Sequence, residues 1–189
     1  PNPYLSLLWR FPQGPGHLGG LSLAVGAALA QALEAAGVAD IGLKWPNDLL
    51  WRRRKLGGLL IEVAAEAQGP SLVVVGLGLN TRLRGAQIQG IDQPWVDLDE
   101  ILGPQGYRRN HIAALATEAL VVTLERYGRE GLAPFLPLWE RHDRYRGARV
   151  EIRQGERLII GTQAGITAEG ALRLEVDGEI RIFTAGEVS

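Results

Sequence analysis

The pattern of apolar and polar positions along this chain falls into two regimes that meet at Gly147. In the first, Tyr4 to Phe11 reads as a strand and Pro12 to Gly16 as a loop. From about Leu18 to Ala36 the positions Leu18, Leu21, Val25, Leu29 and Leu33, with Ala24, Ala28 and Ala32 beside them, recur at helical spacing up to a stop at Gly37. That predicts a helix with one face on a sheet. Ile41, Leu43 and Trp45 alternate with Gly42 and Lys44, so a strand buries the first set and points Lys44 to the other side. Pro46 removes a ladder donor and holds Trp45 extended, which ends the strand and leaves Asn47-Asp48 as a turn. Leu49 to Trp51 then runs into a hairpin tip at Arg52 to Arg54, and a returning strand starts at Lys55. Leu72 to Leu79 is an almost continuous apolar run, the mark of a strand covered on both faces, and is expected at the centre of the sheet. Thr81 to Pro94 is polar and aperiodic, a long surface loop of the mobile or binding kind. Asp97 is placed to cap a short helix, with Glu100 three residues on. A longer helix follows Asn110, with Ile112, Leu115, Ala119, Leu120, Thr123, Leu124 and Tyr127 on one side. Pro134 suits the first turn of a last helix holding Phe135 and Trp139.

After Gly147 the period changes from 3.6 to 2, with strands expected at Val150 to Ile152, Leu158 to Gly161, Leu172 to Val176 and Ile180 to Phe183. Their turns are Gln154-Gly155, Glu169-Gly170 and Asp177-Gly178, the last a type I′ hairpin signal. Short strands over so few residues predict a small barrel. The expected organisation is therefore an α/β (α+β) unit with a mixed sheet over residues 1–146 and a barrel over 147–189.

Composition narrows the chemistry. The chain has 189 residues, 46% of them hydrophobic, and a formal net charge of −1, enough for a domain-sized core but no global electrostatic case for nucleic acid or an anionic membrane. It contains no cysteine, which removes disulfides and Cys-based metal or redox sites and fits a cytoplasmic location. Neither a membrane helix nor a signal peptide is expected from the length and charge of its apolar runs. There is also no Met, so a segment is expected to precede Pro1. His17, His111 and His142 lack ligand spacing, and no protein-held metal is predicted.

The candidate chemistry lies in Lys44-Trp45-Pro46-Asn47-Asp48, the cationic tip Arg52 to Arg54, and Lys55-Leu56-Gly57-Gly58-Leu59-Leu60-Ile61. Two lysines, a carboxylate and two glycines on adjoining strands are what a site needs to hold an anionic ligand close to backbone. The paired glycines weaken a strand, and their use is close approach of a ligand or another backbone. Gly76-x-Gly78 alone is a weak nucleotide signal, since Thr81 stands where a dinucleotide fingerprint has its third glycine, and there is no P-loop. These residues resemble the signature of biotin protein ligases. Further similarity lies in Pro3-Tyr4-Leu5-Ser6, Gly76-Leu77-Gly78-Leu79-Asn80, Gly131-Leu132-Ala133-Pro134 and the segment from Gly147 to Ser189, so the resemblance covers essentially the whole chain.

The resemblance implies the biotin ligase fold shared with class II aminoacyl-tRNA synthetases, followed by an SH3-like C-terminal domain. The implied reaction is ATP-dependent formation of biotinyl-5′-AMP and transfer of biotin to a lysine of a biotin carboxyl carrier domain. Lys55 would bridge carboxylate and phosphate, Lys44 would neutralise ATP phosphates, and Asp48 would orient Lys55 or hold hydrated magnesium. Lys55, Gly57, Gly58, Leu60, Gly76 and Gly78 would bind biotin, and Asn47, Asn80 and Trp95 the nucleotide. Arg52 to Arg54 are left as solvated tip charges, and Trp45 and Trp51 as core. In the family a Gly-Arg-rich loop and a strand that contacts biotin precede the counterpart of Pro3-Tyr4, which makes the chain resemble an N-terminally truncated member. Nucleic acid enters only through the helix-turn-helix domain that some members carry. Leu59 to Glu66 could pair across a homodimer or be a protected edge. Two alternatives remain: a lipoate ligase of the same fold, and a non-catalytic barrel that uses Arg149, Arg153, Arg157, Arg173 and Arg181 as a binding face, against which the interleaved Glu151, Glu156, Glu169, Glu175, Asp177, Glu179 and Glu187 argue.

Overall fold

A computed structural model describes residues 4–65, 69–84, 93–155 and 157–189. Five strands form the first sheet: β1 (Tyr4–Phe11), β2 (Ile41–Lys44), β3 (Asp48–Trp51), β4 (Arg54–Ala65) and β5 (Ser71–Leu79), in the spatial order β1-β5-β4-β3-β2. Every ladder in it is antiparallel, and among the described residues parallel pairing is confined to two isolated bridges, Leu43 with Asp143 and Lys55 with Trp95. The expected mixed sheet is therefore corrected to an antiparallel one within an α/β fold.

Among the described residues, helices pack on one face of this sheet. Helix α1 (Leu21–Ala35) packs on β2, β3 and β4, and α3 (Arg109–Glu130) packs on α1 and β1. By length and composition the segment Pro15–Ala35 could cross a membrane, which the sequence reading missed; here Leu21, Leu23, Val25, Leu29 and Leu33 are buried in the core beneath the sheet. The one-sided cover also corrects the reading of β5. Its burial alternates, with Val73, Val75, Leu77 and Leu79 inside and Leu72 43% exposed, because no helix among the described residues covers the opposite face. β4, not β5, is the middle strand. The short helix α2 (Leu98–Leu102) starts at Asp97, whose Oδ1 accepts the Glu100 amide at 3.0 Å, as the capping pattern predicts. Helix α4 (Leu136–His142) buries Trp139.

The second sheet contains β6 (Arg149–Gln154), β7 (Arg157–Ile166), β8 (Leu172–Val176), β9 (Glu179–Phe183) and β10 (Glu187–Val188), in the order β10-β6-β7-β8-β9. Asp177 and Gly178 both have positive φ, 55° and 81°, the backbone a type I′ turn requires. This sheet is bolted to the first at the signature strand. The Trp45 indole N–H donates to the Gly170 carbonyl at 3.0 Å, and the Arg144 guanidinium donates to the Ile41 carbonyl at 2.8 Å while covering Gly42. Burial holds the Asp143 carboxyl above its ordinary range, although it accepts from the Gln163 amide at 2.7 Å.

Candidate active site

The uncovered face of the first sheet carries Lys44 at the end of β2, Asp48 at the start of β3 and Gly58 on β4, in direct register. Asp48 is 6% exposed and Lys44 8%. The Asp48 carboxylate takes Lys44 Nζ on Oδ2 at 2.9 Å and Lys55 Nζ on Oδ1 at 2.7 Å. One buried carboxylate thus holds two ammonium groups, and the triad carries one net positive charge. Lys55 is the outer member, with 30% of its side chain exposed. In a regular strand Lys55, three residues before Gly58, would point to the helix side. Register instead passes from Leu49–Gly57 to Leu50–Lys55, leaving Leu56 as an extra, fully buried residue. That bulge reverses the alternation and puts Lys55 on the Asp48 and Gly58 face.

A cleft of about 320 Å³ opens beside Lys55, lined by Tyr4, Gly57, Gly58, Gly78, Leu79, Asn80, Gln93 and Trp95, within the size range of small-molecule sites. Its floor is backbone, because Gly58 and Gly78 face each other across β4 and β5, with Tyr4 opposite Gly78 on β1. The two signature glycines serve different ends. A Cβ at Gly57 would stand 2.6 Å from the Gly78 carbonyl oxygen, so Gly57 is required for the strands to close. A Cβ at Gly58 would meet only Asp48 and Lys55 at 3.5 Å, so there the missing side chain leaves room above the floor. Gly76 and Leu60 pair one step further along the same face, outside the cleft lining.

Asn80 donates through Nδ2 to the Lys55 and Val96 carbonyls, both at 3.2 Å. Lys55 N–H donates to the Pro94 carbonyl at 2.8 Å and Val96 N–H to the Lys55 carbonyl at 3.0 Å, so Trp95 runs alongside Lys55 and walls the cleft. Asn47 is used differently. Its side chain and its carbonyl both bond the Leu59 backbone, at 2.7 and 2.9 Å, and it is not among the cleft-lining residues. Ser22 Oγ donates to the Pro46 carbonyl at 2.6 Å, fixing the same turn from α1.

The tip arginines are solvated as expected, Arg52 and Arg53 being exposed, and they also have partners. Arg52 pairs with Asp40 at 3.0 Å, Arg54 pairs with Glu100 at 2.7 Å, and both lie over the Trp51 ring. Arg53 donates to the Arg144 carbonyl and lies over Tyr145. The tip is thereby tied to α2 and to the linker before β6, while Trp45 is buried as expected. His142 is buried, with Nδ1 2.8 Å from the Leu138 carbonyl. Among the described residues no group of three or more His, Cys, Asp or Glu could hold a metal ion. Tyr4 and Gln93 were missed by the sequence reading; β1 alternation, which places Tyr4 with Ser6 and Leu8, was the available signal for the first. Pro3, Glu66, Glu156 and most of the expected loop from Thr81 to Pro94 lie outside the described residues.

Residues 4–80 match the biotin/lipoate A/B protein ligase family, and residues 147–189 match the biotin protein ligase C-terminal domain. The chain is 38% identical over 188 residues to the bifunctional ligase/repressor BirA of Escherichia coli, an alignment that spans 100% of this chain and 58% of that protein. It is 30% identical to the biotin--[acetyl-CoA-carboxylase] ligase of Paracoccus denitrificans, over 94% of this chain and 75% of the relative. A solved biotin protein ligase from Aquifex aeolicus in complex with biotin and ATP superposes with a TM-score of 0.78 and 25% identity, covering 97% of this chain and 77% of that one.

Proposed function

The chain belongs to the biotin protein ligase family, and on that premise we propose that it carries out ATP-dependent biotinylation of a biotin carboxyl carrier domain in the cytoplasm. Residues 1–146 would form the catalytic part and 147–189 the SH3-like C-terminal domain. The observation that carries this reading is the Lys44–Asp48–Lys55 triad at the mouth of a glycine-floored cleft. Biotin carboxylate and ATP are both anions, so the first step needs fixed positive charge where they meet. The carboxylate oxygen forms a bond to the α-phosphorus, the bond from that phosphorus to the α,β-bridging oxygen breaks, and pyrophosphate leaves with the bridging oxygen and its charge. In the second step an acceptor lysine amine attacks the acyl carbon, and AMP departs.

Lys55 is the residue placed to screen the two anions, because it is held from behind by Asp48 and still reaches the cleft. Lys44 adds charge from a position too buried to move. Both Asp48 oxygens face ammonium groups, which supports the orienting role over contact with Mg2+; magnesium would enter with the triphosphate, bound by phosphate and water. Gly58 and Gly78 would floor the biotin ring, with Gly57 keeping that floor closed and Leu60 and Gly76 extending it. Asn80 and Trp95 would flank the adenylate, and Asn47 would act through the turn it fixes.

A lipoate ligase shares the first family description; the C-terminal match, residues 147–189, favours biotin. Calorimetric titration with biotin and with lipoate tests the reading, together with biotin-dependent ATP–pyrophosphate exchange. Binding of biotin alone with exchange is the expected result, and preference for lipoate would overturn it.

A further inference from the structure

Two buried carboxylates that play no part in the triad lie just beyond the nucleotide side of the cleft. Asp97, besides capping α2, accepts the Leu83 N–H on Oδ2 at 2.8 Å, and Arg84 Nη1 stands 3.4 Å from the same oxygen. Asp99 takes the Arg82 and Arg84 guanidinium groups on Oδ2, the latter at 3.0 Å. The Tyr107 hydroxyl lies 2.8 Å from Asp99 Oδ1 and 2.7 Å from the Thr81 carbonyl. The Arg82 hydrogen bond holds the Asp99 carboxyl below its ordinary range, and burial with the facing carboxylate pushes the Tyr107 hydroxyl up to about 12. Backbone bonds continue the join, Leu98 N–H to Asn80 at 3.0 Å and Asp99 N–H to Thr81 at 3.2 Å.

These contacts connect the segment after β5, residues 80–84, with the segment 94–99, and Tyr107 bridges the two from outside both. Those two segments present Asn80 and Trp95 to the cleft, and both are bonded to the Lys55 backbone. The glycine floor and Tyr4 belong to β1, β4 and β5 and receive no bond from Asp97 or Asp99. We propose that Asp99, seconded by Asp97, is a positioning residue for the nucleotide half of the cleft, clamping residues 80–84 to 94–99 so that Asn80 and Trp95 keep their separation. The clamp acts on adenine-nucleotide binding and leaves biotin binding alone. This rests on the ligase reading above.

The test uses Asp99→Asn, Arg82→Gln and the double variant, with KM for ATP, KM for biotin and kcat measured for each beside the melting temperature. Each single change is expected to raise KM for ATP by roughly tenfold, the scale of one lost charge-assisted hydrogen bond, with kcat and KM for biotin within about twofold. Because both residues act through one clamp, the double variant is expected to add little to either single change. Arg82, half-exposed, keeps the test readable if Asp99→Asn folds poorly. An unchanged KM for ATP in both folded single variants overturns the proposal, as does a parallel change in every parameter that follows the melting temperature. If the unsubstituted protein shows no biotin-dependent pyrophosphate exchange, the ligase reading itself fails and the clamp's role falls with it.

Discussion

Replacing Asp48 with Asn removes the one carboxylate that two lysines share, and the structure gives the expected cost. Lys44 is 8% exposed with its Nζ 2.9 Å from Asp48, so the substitution leaves a buried cation facing a neutral amide. Breaking a buried pair from one side costs about 3–5 kcal/mol. Lys55, 2.7 Å from the other oxygen, has 30% of its side chain exposed, and water replaces its lost partner at a cost of about 0–1 kcal/mol. The loss is therefore dominated by Lys44 and should reach about 3 kcal/mol, or roughly 6–12 °C in melting temperature for a chain of this size. Urea unfolding followed by the fluorescence of the five tryptophans measures it. Adding Lys44→Met removes the stranded charge, so the double variant should recover most of the stability while staying inactive. Asp48→Asn within about 0.5 kcal/mol of the parent, or a double variant no more stable than the single, would refute the reasoning.

Gly57→Ala sets a Cβ 2.6 Å from the Gly78 carbonyl oxygen and should destabilise by about 1–3 kcal/mol through strand displacement, whereas Gly58→Ala, with its contacts at 3.5 Å, should fold normally and weaken biotin binding; denaturation and calorimetry on the pair separate the two roles. Asp97→Ala loses the α2 cap and the Leu83 bond and should cost at least about 1 kcal/mol in urea unfolding. Asp99 has a folded pKa below its ordinary value of 3.8, so its contribution is complete above that value and fades as pH falls through the lowered one. Asp99→Asn should accordingly flatten the loss of stability below about pH 4, and an unaltered acid titration of unfolding would count against the Arg82 contact.

Much of the site was legible because its residue types leave few other uses. Lys44 on the polar phase of a buried strand, the turn at Pro46-Asn47 and the glycine pair point to a candidate ligand face, and the structure brings Lys44, Asp48, Lys55, Gly58, Gly78, Asn80 and Trp95 together. The bulge at Leu56 was not legible: a buried leucine inside a strand looks the same whether or not it is paired, and only the register shows that parity reverses there. The misreading of β5 has a similar origin. Leu72 and Val74 are apolar on a face that no helix among the described residues covers, so an apolar run alone could not distinguish one-sided from two-sided cover. Asp97 was found by its capping spacing, but Asp99 was not, because its partners Arg82 and Tyr107 lie in different segments and no local pattern joins them. The partners of the solvated arginine tip were not legible for the same reason, as Asp40, Glu100 and Tyr145 reach it only through the fold.

Lys55→Ala tests the central claim most directly, with biotin-dependent pyrophosphate exchange measured beside the parent protein under identical conditions. The site predicts a fall on the order of 10²-fold or more, the scale of losing one preorganised electrostatic group at the reacting atoms, with folding retained because loss of the partly exposed Lys55 leaves the buried Lys44–Asp48 pair intact. Exchange at the parent's rate by a folded Lys55→Ala protein would contradict it.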